Sequence, residues 1–320
     1  MSPGEFLDVF EARPESALSM TETFTLAHLT DVHLSPLVGV APRYWNLKRL
    51  VGFLNWHTKR RGVHQRATAD LLIADAKTLR ADHIAITGDL VNLGTPAEIE
   101  AAAEWLATVG RPDDVTVVPG NHDIYSAMHG DRGVARWASY MGGEAETHAF
   151  PFLRRVGPIV LIGLNSAIET PVGVAAGRLG ADQIDVARDL LERLGDEGAI
   201  RVVLIHHPPL PGLAPPRREL SDAAMLQRVL EKSGAELVLY GHNHKPMLSW
   251  IESVAGPVPV ICGASASGSR PYKNDPLARY NLFTFFRNGD RLRIRQTVRG
   301  IETADGPVVK LSEVVLQAPH

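Results

Sequence analysis

Seven residues able to bind a metal ion recur in five short clusters along the 320 residues. Asp31 and His33 stand two apart after the apolar run 24–29, and Asp89 follows Gly88 after the run 83–87. Asn121, His122 and Asp123 follow Gly120 after 115–118. His206 and His207 precede Pro208-Pro209 after 201–205, and His242 and His244 follow Gly241 after 236–240. In extended backbone alternate side chains point the same way, so Asp31 and His33 can reach one cation. Gly88 lets the chain turn sharply and brings the Asp89 carboxylate into a crowded site. Carboxylate, amide and imidazole donors without a thiolate fit Mn²⁺ or Fe first, and catalytic Zn²⁺ or Mg²⁺ next. Asp31, His33, Asp89, Asn121, His206, His242 and His244 are more donors than one ion needs, so two divalent ions sharing Asp89 are expected. Two ions ~3.5–4 Å apart are a common clamp for hydrolysing phosphate esters. A lone Asp-x-His or His-x-His is commonly incidental, but five polar clusters at five run ends are not explained by packing.

The runs carrying these clusters are short, continuous and rich in β-branched residues, as strands buried on both faces are. A further run over 159–164 leads into Asn165-Ser166. Helical spacing of apolar residues covers 67–79, 181–194 and 221–230. Thr95-Pro96, followed by acidic residues, opens another helix. Strand–helix alternation predicts an α/β fold with a largely parallel core, and in open α/β sheets ligands gather beyond the carboxyl ends of the strands. Toward the C-terminus, 281–287 and 291–298 flank Asn288-Gly289, a hairpin signal, and 308–316 suggests another strand. An antiparallel sheet packed against the α/β part is expected there.

A single cysteine, Cys262, rules out an internal disulfide, and the net charge of -3 favours no nucleic-acid partner. No apolar run approaches the ~20 residues of a membrane span. Residues 1–20 read as a disordered leader without a signal pattern, and 21–320 as one domain in the cytoplasm. The oligomeric state stays open between monomer and dimer. Within 34–66 a helical cap insertion is expected, because 43–56 mixes apolar and basic residues at helical spacing. One reading packs its apolar face on the core with the basic face in water. The other makes it a cap over the substrate pocket, with peripheral membrane contact through 43–56. His28, His57, His64, His83, His129 and His148 match no cluster and read as surface or satisfied core histidines.

Taken together, Asp31-Val32-His33, Gly88-Asp89, Gly120-Asn121-His122-Asp123, His206-His207-Pro208 and Gly241-His242-Asn243-His244 resemble the calcineurin-like metallophosphoesterase superfamily, block by block and in order. The resemblance implies a four-layer α/β/β/α sandwich of two mixed sheets with a dinuclear site at one end. It implies that Asp31, His33, Asp89 and His244 hold one ion and that Asp89, Asn121, His206 and His242 hold the other. Residues 88–96 and the His-His-Pro-Pro loop look most like class III cyclic-nucleotide phosphodiesterases. The 34–66 insertion departs from a compact enzyme of that kind and is more like a cap suited to a lipid-linked or nucleotide-linked pyrophosphate. The expected catalytic residues are His122, protonating the leaving alkoxide, and Asp123, orienting it; a positioned general acid contributes roughly 10²–10⁴-fold. The expected partner is a small-molecule phosphate ester. A metal-stabilised scaffold without catalysis is the competing class, and the complete donor set with His122 argues against it.

Overall fold

The computed structural model describes residues 23–39, 41–126, 131–142, 150–289 and 291–318. The leader over 1–20 and His129 and His148 lie outside them. In chain order the elements are β1 (Phe24–Leu29), α1 (Leu47–Asn55), α2 (Arg66–Thr78), β2 (His83–Ile86), α3 (Pro96–Val109), β3 (Val115–Val117), β4 (Phe152–Val156), β5 (Ile159–Gly163) and α4 (Ala181–Asp196). There follow β6 (Ile200–Leu204), α5 (Ala223–Ser233), β7 (Leu237–Tyr240), β8 (Met247–Ser253), β9 (Gly256–Cys262), β10 (Arg279–Asn288), β11 (Arg291–Ile301) and β12 (Val308–Val315).

Two six-stranded mixed sheets form, in the orders β12-β11-β10-β1-β2-β3 and β4-β5-β6-β7-β9-β8. Strands β1, β2 and β3 run parallel, as do β5, β6, β7 and β9. The alternation of side chains along each strand builds the layers. Val202, Leu204, Leu237 and Leu239 turn toward the first sheet and share one core with β1, β2, α2 and α3. Val203, Val238 and Val260 turn the other way and pack with Leu190, Leu194, Leu226 and Leu230 of α4 and α5. The result is a four-layer α/β/β/α sandwich. Burying a Val, Leu or Ile contributes ~1.5–3 kcal/mol, and both faces of each central strand are covered, so these strands read as unbroken apolar runs. The C-terminal strands differ from the expected separate sheet: β10 pairs antiparallel with β1, so β10, β11 and β12 complete the first sheet.

α3 starts where Thr95 predicts, with a reciprocal capping box between Thr95 and Glu98 and Pro96 in the first turn. The Glu98 carboxylate also accepts from the Asn92, Leu93 and Thr95 amides, which fixes the loop following Asp89. The insertion contains α1 and, directly after it, a single π-helical turn over Trp56–Arg60. Its orientation reverses the packed-helix reading. Arg49 is buried and donates to the carbonyls of Leu93, Tyr44, Gly94 and Ser126, while Leu47, Leu50, Val51 and Leu54 face solvent. Among the described residues no helix is long and apolar enough to cross a membrane.

Candidate metal centre

All five clusters sit just past the carboxyl ends of β1, β2, β3, β6 and β7. The backbone there is unusual. Asp31, His33, Asp89, His242 and His244 have φ of 52°, 44°, 54°, 68° and 56°. A left-handed conformation costs a non-glycine residue ~1–2 kcal/mol, and such strain concentrates at functional sites. Asp31 and His33 therefore converge through two left-handed turns, not through the extended stretch expected from their spacing. Glycine is required beside them. A Cβ on Gly88 (φ 85°) would lie 2.5 Å from the Gly120 nitrogen and 2.8 Å from His206 Nδ1. One on Gly241 would strike Thr30 Oγ1 and come within 2.7 Å of Asp31 Oδ2.

The donors meet at the centre. His33, Asp89 and His122 offer ligand atoms within 4.8 Å of one another, and so do Asp89, His206 and His242. Asp89 belongs to both groups. His206 Nε2 lies 3.2 Å from Asn121 Oδ1, 3.4 Å from Asp89 Oδ2 and 3.3 Å from His242 Nδ1. His33 Nε2 lies 3.2 Å from His244 Nε2, which is 3.2 Å from Asp31 Oδ1. The outward ring atoms are already committed: His33 Nδ1 donates to Val91 O and His206 Nδ1 to Thr87 O. Hydrogen bonding of one imidazole nitrogen to a carbonyl fixes the other as the coordinating atom.

These residues fit a pair of cations. Lone pairs face lone pairs across the centre, and Asp31 Oδ1 and His242 Nε2 are buried with no hydrogen-bond partner among the described residues. Unpaired buried polar atoms of this kind are costly unless a cation meets them. Burial disfavours the His206 imidazolium, yet the nearby Asp89 and Asp31 carboxylates outweigh it and raise its pKa to about 9. Burial likewise opposes ionisation of Asp89, but His206 and His122 hold its carboxyl well below the usual range. A site that draws a proton so strongly draws a metal ion for the same reason.

His122 lies at the rim. Its amide donates to Asp89 Oδ1 at 2.7 Å, and its ring stacks on Tyr125 with centroids 5.4 Å apart. The residue orienting it is not Asp123, a correction to the sequence reading. His122 Nδ1 donates to the Asn92 carbonyl, whereas the Asp123 carboxylate accepts the amides of Asp89, Val91 and Gly120. Asp123 is too fully engaged with backbone to touch the ring, and it acts by locking the loops of Asp89 and Asn121. Asn92 spends its side-chain amide on Leu34 O. His207 is excluded from the centre: its Nδ1 meets Ser166 Oγ at 2.8 Å and its Nε2 the Ala175 carbonyl at 3.2 Å.

One histidine at the site escaped the sequence reading. His64 is buried, and it shares with His33 and His244 a third group of ligand atoms within 4.8 Å of one another. No motif surrounds it; only its bridge to Gly268 carries it there. The stretch over 263–268, made entirely of Gly, Ala and Ser, also reaches the site, since Ser265 Oγ donates to the Asp31 carbonyl.

The model of the calcineurin-like phosphoesterase family matches residues 24–246. The chain is 24% identical over 229 residues to a probable cyclic nucleotide phosphodiesterase of Synechococcus sp., covering 71% of this chain and 75% of that one. It is 30% identical over 174 residues to a cAMP/cGMP dual specificity phosphodiesterase of Mycobacterium tuberculosis, covering 52% of this chain and only 49% of that protein. A crystal structure of a dimetal phosphatase from Danio rerio superposes with a TM-score of 0.57 at 15% identity, covering 90% of this chain and 98% of that one.

Proposed function

The chain belongs to the calcineurin-like phosphoesterases, metal-dependent hydrolases of phosphoric esters, and from that premise we propose that it cleaves phosphodiester bonds of small molecules, with cyclic nucleotides as the first candidate. The observation that carries this reading is the opposed lone pairs of His33, His206 and His244 around Asp89 and Asp31. Asp31, His33, Asp89 and His244 would hold one divalent ion, and Asp89, Asn121, His206 and His242 the other. When bound, such ions supply Lewis-acid charge for the phosphoryl oxygens and make water acidic enough to attack at neutral pH. The protein does the rest. His33 and His206 keep their coordinating nitrogens inward through the Val91 and Thr87 carbonyls. Asp123 freezes the loops that present Asp89 and Asn121. His122, with Nδ1 anchored on Asn92 O, turns Nε2 toward the centre and passes a proton to the leaving alkoxide. Burial holds its pKa down to about 4, so in the free protein the ring is neutral near pH 7 and must take up a proton at Nε2 before donating it.

The test is a panel of cyclic nucleotides, an aryl phosphodiester, an aryl monoester and a UDP-linked lipid, assayed with purified Mn²⁺-loaded protein. Diesters should turn over faster than the monoester, and chelation should abolish the activity. Turnover insensitive to chelation, or a preference for the monoester, would sink the reading.

A second reading has its own observation: the apolar stripe of α1 points outward, with Leu47, Leu50, Val51 and Leu54 exposed by 69%, 46%, 44% and 53%. Between Asp31 and Asp70 the sequence has no carboxylate but seven lysines and arginines. An apolar stripe within a basic, carboxylate-free stretch is the pattern of a helix lying on an anionic lipid surface. This supports a substrate presented at that surface, such as a lipid-linked phosphodiester or pyrophosphate.

A further inference from the structure

His64 lies near the end of the 34–66 insertion. Beyond the π-helical turn the chain is pinned on both sides of His64. Gln65 N donates to Ser267 O at 2.9 Å, and Ser269 N donates to Val63 O at 2.8 Å. The ring is thereby set among the histidines of the first ion pocket. Its centroid is 4.8 Å from that of His33 and 5.7 Å from that of His244. His64 Nδ1 faces Ser267 Oγ at 2.9 Å. Ser265 Oγ donates to the Asp31 carbonyl, and Ser267 Oγ has that same carbonyl as an acceptor at 3.5 Å. With its own proton so directed, Ser267 can accept the His64 Nδ1–H, which leaves Nε2 with its lone pair. The same division of labour sets His33 and His206 against the Val91 and Thr87 carbonyls. Metal-ligating histidines are held by an outer hydrogen bond of this kind. Packing alone does not explain three imidazoles converging with their ligand atoms within 4.8 Å.

We propose that His64 is an additional ligand of the ion held by Asp31, His33 and His244, delivered from the end of the cap. The inference rests on the dinuclear reading above. It adds that ion binding and cap placement are linked: through His64 the ion would reinforce the tie that the Gln65 and Val63 backbone bonds make between the segment after α1 and the loop over 265–269. π-helical turns recur at functional sites, and one over Trp56–Arg60 stands just before His64 in the chain.

The test compares wild-type protein with His64→Gln, both stripped of metal and titrated with Mn²⁺ by calorimetry, the ions being counted by elemental analysis. Wild type should bind two ions. In His64→Gln one of the two should weaken by at least about tenfold, the range for disturbing the shell of a bound metal. The Co²⁺-loaded variant should show a changed visible spectrum. Mn²⁺ should slow tryptic cleavage after residues 59–61 in wild type but not in the variant. Two ions bound with wild-type affinity and an unchanged spectrum in His64→Gln would overturn the proposal. A wild type that binds no ion would instead bring down the dinuclear reading. If His64→Gln fails to fold, Ser267→Ala carries the test, because it keeps the ring and removes the acceptor for Nδ1–H. It should weaken the same ion by a smaller factor, and unchanged affinity would overturn the proposal equally.

Discussion

At the scale of single residues, the division of labour around His122 sets the sharpest expectation. The ring is held by a backbone carbonyl, Asn92 O, so its orientation depends on the loop that Glu98 organises and not on a neighbouring carboxylate. If it supplies the proton to the leaving group, its removal matters in proportion to how badly that group needs one. His122→Ala should lower turnover of a diester with a poor alkoxide leaving group by ~10²–10⁴-fold. On a p-nitrophenyl diester, whose leaving group departs without help, the loss should stay under about tenfold. Equal losses on both substrates, with the ion count unchanged, would assign His122 to substrate binding instead. The donor types were legible in the sequence, because each cluster follows an apolar run and four of the five contain a glycine or proline. The partner of His122 was not, because a carbonyl acceptor has no signature in side-chain identity. His64 was invisible for a related reason, since only its pairing with Gly268, some two hundred residues on, brings it to the site.

At the scale of elements, polar contacts reinforce the apolar packing at the end of the sandwich away from the site, where β2 and β3 begin. Arg154 on β4 donates across to the carbonyls of Val115 and Pro112 beside β3, and His83 at the start of β2 meets Thr116 Oγ1 at 2.7 Å. Burial, with the Arg154 charge adding to it, lowers the His83 pKa from 6.5 to about 3. The folded chain thus keeps His83 neutral over a range where the unfolded chain protonates it. Its contribution is intact above pH 6.5 and is lost as pH falls from 6.5 toward 3, by ~1.4 kcal/mol per pH unit. Between pH 6.5 and 5.0 that is ~2 kcal/mol. Urea unfolding of metal-free protein should therefore weaken more steeply over this interval in wild type than in His83→Gln. Equal slopes would show that His83 is not held neutral. The central strands were readable because both faces are buried. β4, β8 and β9 were missed because Arg154 and Arg155, the half-exposed face of Met247–Ser253, and Pro257 with Pro259 break that pattern. Helical spacing likewise revealed α1 but not which of its faces the fold would cover.

At the scale of the whole molecule, the cap and the metal centre share one end of the sandwich. Tyr125 stacks on His122 while its hydroxyl donates to the Lys48 carbonyl of α1, and Arg49 ties the same helix to Leu93 and Gly94 beyond Asp89. A surface that α1 touches would therefore lie beside the mouth of the site. The chain as a whole carries a net charge of -3, so its overall charge does not draw it to an anionic bilayer, whereas the acid-free insertion does. Cations gathered beside one exposed apolar helix orient the molecule as well as binding it, because each cation near an anionic surface contributes ~1 kcal/mol. The protein should sediment with phosphatidylglycerol vesicles and not with phosphatidylcholine vesicles. Rising salt should release it, since screening acts within a Debye length of ~10 Å at 0.1 M. The double substitution Leu50→Asp with Leu54→Asp falls on exposed positions outside the centre. It should abolish vesicle binding while leaving turnover of a soluble aryl diester within about twofold of wild type. Equal binding to both vesicle types, or by the double variant, would return α1 to the role of a pocket wall. The substrate would then be one that arrives from water.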